Sequence, residues 1–170
     1  NKLMRTLTER YFRLPSKTRV EFARELTATQ DRTRKLVPLY EHMKSAPQYE
    51  AVKLGGLTIH YALFAEKKDK RQALSGVTFG GLGGVVWDGE VYQLEEKLEW
   101  QNTSSAFRIE AIQDRAWIFV EMDKLAKDVM ASTHRDQLIW MKPQDREGYE
   151  ARARHVRIKN FRMEIAKTMP

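Results

Sequence analysis

A group of basic side chains near the end of the chain is the clearest candidate for binding chemistry. Arginine and lysine bind phosphate and other anions through charge-assisted hydrogen bonds, and an aromatic residue among them offers a stacking surface for a base. His155 and Phe161 lie within this basic run. The pattern predicts an anion or nucleic-acid binding site, although a solvated face whose long side chains cover apolar surface has the same pattern. The basic residues are Arg152, Arg154, Arg157, Lys159 and Arg162.

The glycine run Gly80–Gly84 is a second candidate, because closely spaced glycines expose backbone N–H groups that bind phosphate. A phosphate-binding loop ends in Gly-Lys-Ser or Gly-Lys-Thr, whereas Val85 follows the run here. The dinucleotide-binding fingerprint also lacks its third glycine. We therefore predict a structural role for these glycines: a bulge, sharp coiling, or a close approach of another group to the backbone.

Residues that carry acid–base or metal chemistry are scattered along the chain. The four histidines, His42, His60, His134 and His155, have no spacing that would place a metal site on one helix. The absence of cysteine excludes thiolate ligands and thiol nucleophiles. Carboxylate pairs occur at Glu95–Glu96 and Glu121–Asp123, but nothing distinguishes one pair from the other as an acid–base pair. We predict no catalytic residues, no metal and no cofactor.

The composition indicates a folded protein without a membrane-spanning helix. Hydrophobic residues make up 42% of the 170 positions and charged residues 31%, which predicts a packed core. No stretch approaches the roughly 20 apolar residues of a membrane-spanning helix. We expect a soluble, cytoplasmic protein with further sequence upstream of Asn1.

The net charge of +7 lies at the two ends of the chain. Residues 1–50 carry +5 and residues 141–170 carry +4, whereas residues 51–140 carry −2. Phosphates are attracted by excess positive charge, so nucleic acid or an acidic membrane surface would contact the ends rather than the middle.

The elements that must position these residues fall into two parts. Apolar residues recur at helical spacing in residues 2–14, which predicts a first helix. Thr18 and Glu21 have the capping-box spacing at the start of a second helix, and a third is predicted around residues 36–43. Three such short helices would form a helical module over residues 1–46.

The remainder, residues 50–170, is predicted to be a β-rich domain with a basic C-terminal segment. Leu57, Ile59 and Tyr61 alternate with less apolar residues, as in a half-buried strand. Short strands separated by turn signals are typical of a sandwich or barrel. The fold class is therefore α+β: N-terminal short helices followed by a small antiparallel β-barrel or sandwich. Strands are predicted near residues 57–63, 77–87, 90–93, 107–112, 117–122 and 137–141. Turns are predicted at Asp88-Gly89, Asn102–Ser105 and Asp114-Arg115. Residues 123–133 and 144–165 fit helix or strand.

Two stretches resemble known families. Residues 80–92, followed by Leu98 and Asn102–Phe107, resemble the glycine-rich strand, tryptophan-glycine turn and asparagine-threonine strand entry of the bacterial virulence-associated Vap proteins. This resemblance covers about residues 52–140 and implies a compact eight-stranded antiparallel barrel without an enzymatic site. It departs from the Vap pattern after residue 124, where a charged tail replaces glycine-rich strands.

The N-terminal run resembles the small helical adaptor modules called effector-associated domains of bacterial conflict systems. The resemblance rests on residues 9–26, in particular Tyr11–Pro15 and Arg19–Leu26, and is extended to residues 1–45. It implies a helical module that recruits a protein partner. Neither resemblance supplies catalytic residues.

Three function hypotheses follow from these observations. The leading one is a non-enzymatic binding protein, in which the helices associate with a protein partner and the β-domain presents a recognition surface. The alternative is a nucleic-acid-binding protein that uses the basic ends. A cryptic hydrolase or transferase is the third.

Overall fold

A computed structural model describes residues 2–22, 34–66, 80–123, 129–134, 137–141 and 155–169. The described residues form a mixed α+β structure, as predicted, with one five-stranded sheet and two two-stranded sheets. The helices are α1 (Lys2–Arg10), α2 (Leu39–Lys44), α3 (Lys97–Phe107) and α4 (Arg162–Thr168), with 3-10 helices at Glu110–Ile112 and Ile158–Phe161. The strands are β1 (Glu21–Phe22), β2 (Arg34–Lys35), β3 (Gln48–Leu54), β4 (Leu57–Leu63), β5 (Leu82–Trp87), β6 (Glu90–Glu96), β7 (Ala116–Met122), β8 (Val129–Ala131) and β9 (Leu138–Trp140).

The five-stranded sheet has the order β3-β4-β7-β5-β6. Two hairpins supply its outer pairs. Asp88 and Gly89 connect β5 to β6 with φ values of 50° and 78°, the left-handed conformation that a two-residue hairpin turn requires. The predicted Asp-Gly turn is therefore present, and Gly55-Gly56 makes the corresponding turn between β3 and β4.

In the described part of the chain, the five-stranded sheet is mixed and does not close into a barrel, so the finer expectation of a small antiparallel barrel or sandwich stays a prediction. Among the described residues, β3 and β6 are the two edges of the sheet, and β5 pairs with β7 in parallel while the other pairs are antiparallel. The parallel pairing of β5 with β7 follows from the connection between β6 and β7. Because it contains the helix α3 rather than a tight turn, the chain crosses the sheet and β7 enters alongside β5 in the same direction.

The strand and the turn predicted in this connection are wrong. Asn102–Ser105 lies inside α3, and residues 107–112 hold the end of α3 and a 3-10 helix. Asparagine, serine and threonine favour turns locally. Burial decides otherwise here, because Thr103 and Ser104 are buried on the inner side of the helix.

One further segment differs from the predicted elements. Residues 18–22, expected at the start of the second helix, are not helical: Glu21–Phe22 forms strand β1 paired with β2, and residues 23–26 lie outside the described residues. Residues 144–165 fit helix or strand by sequence, and the described part from Ile158 onward forms the 3-10 helix and α4. Ile158, Phe161 and Ile165 are buried at helical spacing and form one helical face.

Both faces of the sheet are covered. The face that we call the α3 face packs against α3, α4, the adjoining 3-10 helix and the β8–β9 hairpin. The opposite face, the α2 face, packs against Phe12, Leu39 and Met43 from the N-terminal segment, which share one buried cluster with Val86 and Phe119. The division into units 1–46 and 50–170 stays a prediction. None of the described helices has the length and apolar character needed to cross a bilayer.

Helix α2 contains a histidine whose burial makes the stability depend on pH. His42 packs near Trp117, with 6.4 Å between ring centroids. Burial lowers the pKa of His42 to about 4, although a hydrogen bond with the Val37 backbone favours the charged form. Between these two pKa values, His42 is neutral in the folded protein but protonated in the unfolded chain.

We expect the free energy of unfolding to fall by about 2 kcal/mol through this residue as the pH drops from about 6.5 to about 4. The unfolded state binds the proton first in this interval, so stability must decrease with decreasing pH. Urea unfolding at several pH values, for the wild type and for His42→Gln, measures the effect. Carboxylates titrate in both proteins, so the difference between the two curves isolates His42. Parallel curves would contradict the prediction.

Candidate functional site

The predicted basic residues do not form one continuous strip in the described part of the chain. Arg157 and Lys159 line a cleft beside β6 and α3. Arg162 lines a different, more apolar pocket with Phe107 and Met163. Arg152 and Arg154 lie outside the described residues.

The cleft of Arg157 and Lys159 has a volume of about 400 Å³ and is lined mostly by polar residues. Strand β6 supplies one wall, helix α3 the second, and the segment that begins the 3-10 helix the third. We call it the β6–α3 cleft. Its lining residues are Gln93, Leu94, Glu95, Glu99, Asn102, Thr103, Ala106, Arg157 and Lys159.

The basic wall of the cleft is anchored in the core. Arg157 is the N-cap of the 3-10 helix, and its backbone N–H donates to the Asn160 side-chain oxygen over 2.7 Å. The next residue, Ile158, is buried on the α3 face of the sheet. This anchorage fixes the backbone from which Arg157 and Lys159 project, so that both charges are presented to the cleft.

The walls formed by β6 and α3 carry the acidic residues Glu95 and Glu99, and we call these two walls together the acidic wall. Glu95 is only 9% exposed, and its carboxylate accepts a hydrogen bond of 2.5 Å from the Thr103 hydroxyl. Burial raises the pKa of Glu95; the Thr103 hydrogen bond and the charges of Arg157 and Lys159 oppose this, and the charge of Glu99 adds to it. The pKa of Glu95 therefore depends on the two cations that line the same cleft.

Gln93 adds an unsatisfied acceptor to the same site. Its side-chain oxygen is buried and has no hydrogen-bond partner among the described residues. The residue has a φ of 51°, a left-handed conformation that costs free energy for a side chain other than glycine. Buried acceptors without a partner destabilise a fold, and strained backbone tends to occur at binding sites.

A second polar cluster lies on the α2 face, around His60. The pairing of β3, β4 and β7 places Tyr49, His60 and Glu121 on one face of the sheet. The Tyr49 hydroxyl lies 2.9 Å from His60 Nδ1, and His60 Nε2 lies 2.9 Å from a Glu121 oxygen. One neutral tautomer satisfies both contacts: Nδ1 accepts from Tyr49, and the Nε2 proton is donated to Glu121.

Arg13 completes this cluster from the N-terminal segment. Its guanidinium donates to Glu121 and lies 4.0 Å from the ring centroid of Tyr40. Burial alone would raise the pKa of Glu121, but the His60 hydrogen bond and the Arg13 charge outweigh burial and lower it. Burial raises the pKa of Tyr49, and a hydrogen bond with Tyr40 adds to the shift.

This cluster fixes the N-terminal segment to the sheet rather than offering groups to a substrate. His60 is 1% exposed and both of its ring nitrogens are occupied. Arg13 reaches the sheet through its ion pair with Glu121 and contacts the ring of the adjacent Phe12, with 5.1 Å to its centroid. The arrangement gives His60 a structural role.

Metal chemistry has no candidate ligand set in the part of the chain that the structure describes. No group of three or more histidine, aspartate or glutamate side chains lies close enough to hold an ion there. The carboxylates of the predicted pairs separate: Glu95 bonds with Thr103 in the cleft, and Glu96 forms an ion pair with Arg5 of α1.

Comparison of the chain with protein-family models, with curated proteins and with solved structures gave no match. The resemblances to the Vap proteins and to the effector-associated domains therefore stay predictions.

Sequence reasoning found the basic wall of the β6–α3 cleft but missed its acidic wall. Glu95 and Thr103 are eight residues apart and belong to different elements. Their contact required α3 to be recognised as a helix. A signal was present in Trp100, Thr103 and Phe107, which recur at spacings of three and four, but the turn-favouring residues between them outweighed it.

Proposed function

We propose that this chain is a binding protein that holds an anionic group of its ligand between Arg157 and Lys159 in the β6–α3 cleft. The observation that carries the proposal is the pair of cations at a cleft of about 400 Å³ with no carboxylate within 4.0 Å of either among the described residues. Two unpaired cations at a concave site favour an anion by charge-assisted hydrogen bonding.

The size and lining of the cleft support a small ligand. Its volume lies in the range of small-molecule sites, and Leu94 and Ala106 provide apolar contact beside the polar groups. A binding role needs no nucleophile or metal, which agrees with the residues that line the cleft.

The alternative of nucleic-acid binding finds less support at this cleft. Glu95 and Glu99 face the same space as the two cations and would repel a phosphate backbone. Affinity for nucleic acid would also fall steeply with salt, because counterions are released when phosphates are neutralised. Strong, salt-dependent binding of single-stranded DNA would favour the alternative.

We predict that Arg157→Ala and Lys159→Ala each weaken the binding of inorganic phosphate and of butyrate by about 10-fold, the equivalent of one lost hydrogen bond to a charged group. Titration calorimetry at low ionic strength measures both ligands.

Lys53→Ala is the matched control, since Lys53 is an exposed lysine on β3 and lies outside the cleft lining. It removes the same charge and should leave binding unchanged. Equal losses in all three variants would show a general charge effect and contradict the proposal, as would the absence of anion binding by the wild type.

Docking of a protein partner by the N-terminal helices, and use in a bacterial virulence or conflict system, are proposals that rest on the two resemblances.

A further inference from the structure

The β6–α3 cleft contains charges of both signs that do not neutralise each other by contact. Arg157 and Lys159 lie on one wall and Glu95 and Glu99 on the other. Among the described residues, none of these four side chains forms an ion pair with another within 4.0 Å. Opposite charges that face a common space without touching leave room for a group that meets each of them.

We infer that the ligand of this cleft is a small zwitterion of the amino-acid class, with its carboxylate toward Arg157 and Lys159 and its ammonium group toward Glu95 and Glu99. This inference rests on the proposed function, because it takes the anion site as given and assigns the other end of the ligand.

The acidic wall is built to meet a donor. Thr103 holds the Glu95 carboxylate in place from the neighbouring turn of α3, so its direction is fixed before a ligand arrives. Preorganised acceptors bind a cation without the cost of ordering a side chain. An ammonium group carries three donors, enough to meet the Glu95 and Glu99 carboxylates together.

Ligands of a single charge sign fit the cleft less well. A pure anion would satisfy Arg157 and Lys159 but would approach Glu95 and Glu99 with repulsion. A pure cation would be attracted by Glu95 and Glu99 but repelled by Arg157 and Lys159. Only a molecule with both groups uses both walls.

Matched probes of one carbon chain separate these cases. The probes are 4-aminobutyrate, butyrate and butylammonium, which differ only in their charged groups, together with 5-aminopentanoate and 6-aminohexanoate to vary the distance between the charges. Titration calorimetry on the full chain should show at least one of the amino acids binding about 10-fold more tightly than butyrate and than butylammonium.

Variants of the acidic wall test the assignment. Glu95→Gln keeps the shape and can still accept from Thr103, but it removes the charge. It should reduce the preference for the zwitterion over butyrate from about 10-fold to about 2-fold, with butyrate binding retained. Because Glu95 is nearly buried and its replacement can affect folding, Glu99→Gln, an exposed position on α3, provides the second variant.

The same titrations test the zwitterion assignment and the anion site separately. If butyrate binds and Arg157→Ala weakens its binding about 10-fold, but no amino acid binds more tightly than butyrate, the zwitterion assignment is overturned and the anion site stands. If neither butyrate nor phosphate nor any amino acid binds, the proposed function itself is wrong, and this inference falls with it.

Discussion

Replacing Gly83 with alanine should lower the free energy of unfolding by about 3 kcal/mol, the upper end of the cost of overpacking a core. A Cβ atom at this position would lie 2.3 Å from the Trp100 ring and 3.1 Å from Ile158. Trp100 is 2% exposed, and its indole N–H donates to the Gln113 carbonyl over 2.8 Å. The ring is fixed by that hydrogen bond and by its packing, so it cannot move aside without loss. Chemical denaturation of the purified protein measures the change.

Gly56→Ala is the matched control, because a Cβ atom at Gly56 would meet nothing within 4 Å. We expect it to change the stability by less than about 0.5 kcal/mol. A similar loss in both glycine variants would mean that backbone conformation, and not contact with Trp100, determines the effect.

A double-mutant cycle makes the assignment specific. Trp100→Ala should itself destabilise the protein by about 3–5 kcal/mol, because it opens a cavity under the sheet. In that background Gly83→Ala should be nearly neutral, since the space that it needs is then free, which corresponds to a coupling of about 3 kcal/mol. Gly81→Ala should not be rescued in this way, because its Cβ would also lie 1.7 Å from the backbone oxygen of Gln113. Additive effects of Gly83→Ala and Trp100→Ala would contradict the packing described here.

The second large effect is expected at His60. His60→Ala should destabilise the protein by about 3 kcal/mol, because it removes a buried ring and leaves Tyr49 and Glu121 without their shared partner. Removal of one member of a buried polar network costs more than the net contribution of the intact hydrogen bonds. The loss should appear in thermal and urea unfolding.

His134→Ala serves as the control for this variant, since His134 lies exposed in a turn. It should remain within about 0.5 kcal/mol of the wild type. A further comparison separates packing from hydrogen bonding. Tyr49→Phe keeps the ring but removes its hydroxyl, and should cost about 1 kcal/mol, as expected for one hydrogen bond. If His60→Ala is no more destabilising than Tyr49→Phe, the network around His60 does not hold the N-terminal segment.

The glycine run shows how far sequence reasoning reached in this protein. The departure of Gly80–Gly84 from the phosphate-binding motifs indicated a bulge or a close approach, and both are present. The register of β5 against β6 shifts between Gly83 and Val85, and Trp100 occupies the space above Gly83. The partner of the approach was beyond prediction, because Trp100 follows Gly83 by 17 positions and belongs to a helix that the local sequence does not predict.

The sequence alone determined features that depend on neighbouring residues. The alternation in Leu57–Leu63, the Asp88-Gly89 turn and the apolar strand Ala116–Met122 each record a local preference of the chain, namely one face to bury or one dihedral angle to adopt. The basic character of the C-terminal segment was likewise visible without a fold.

Only the tertiary structure decided the order of the strands, the parallel pairing of β5 with β7 and the position of Glu95 and Arg157 on the lining of one cleft. The physical reason is that these features depend on contacts between residues far apart in the chain. Burial of Trp100, Thr103 and Ser104 against the sheet outweighed the local turn preference of Asn102–Ser105, formed α3, and with it both the crossover and the acidic wall.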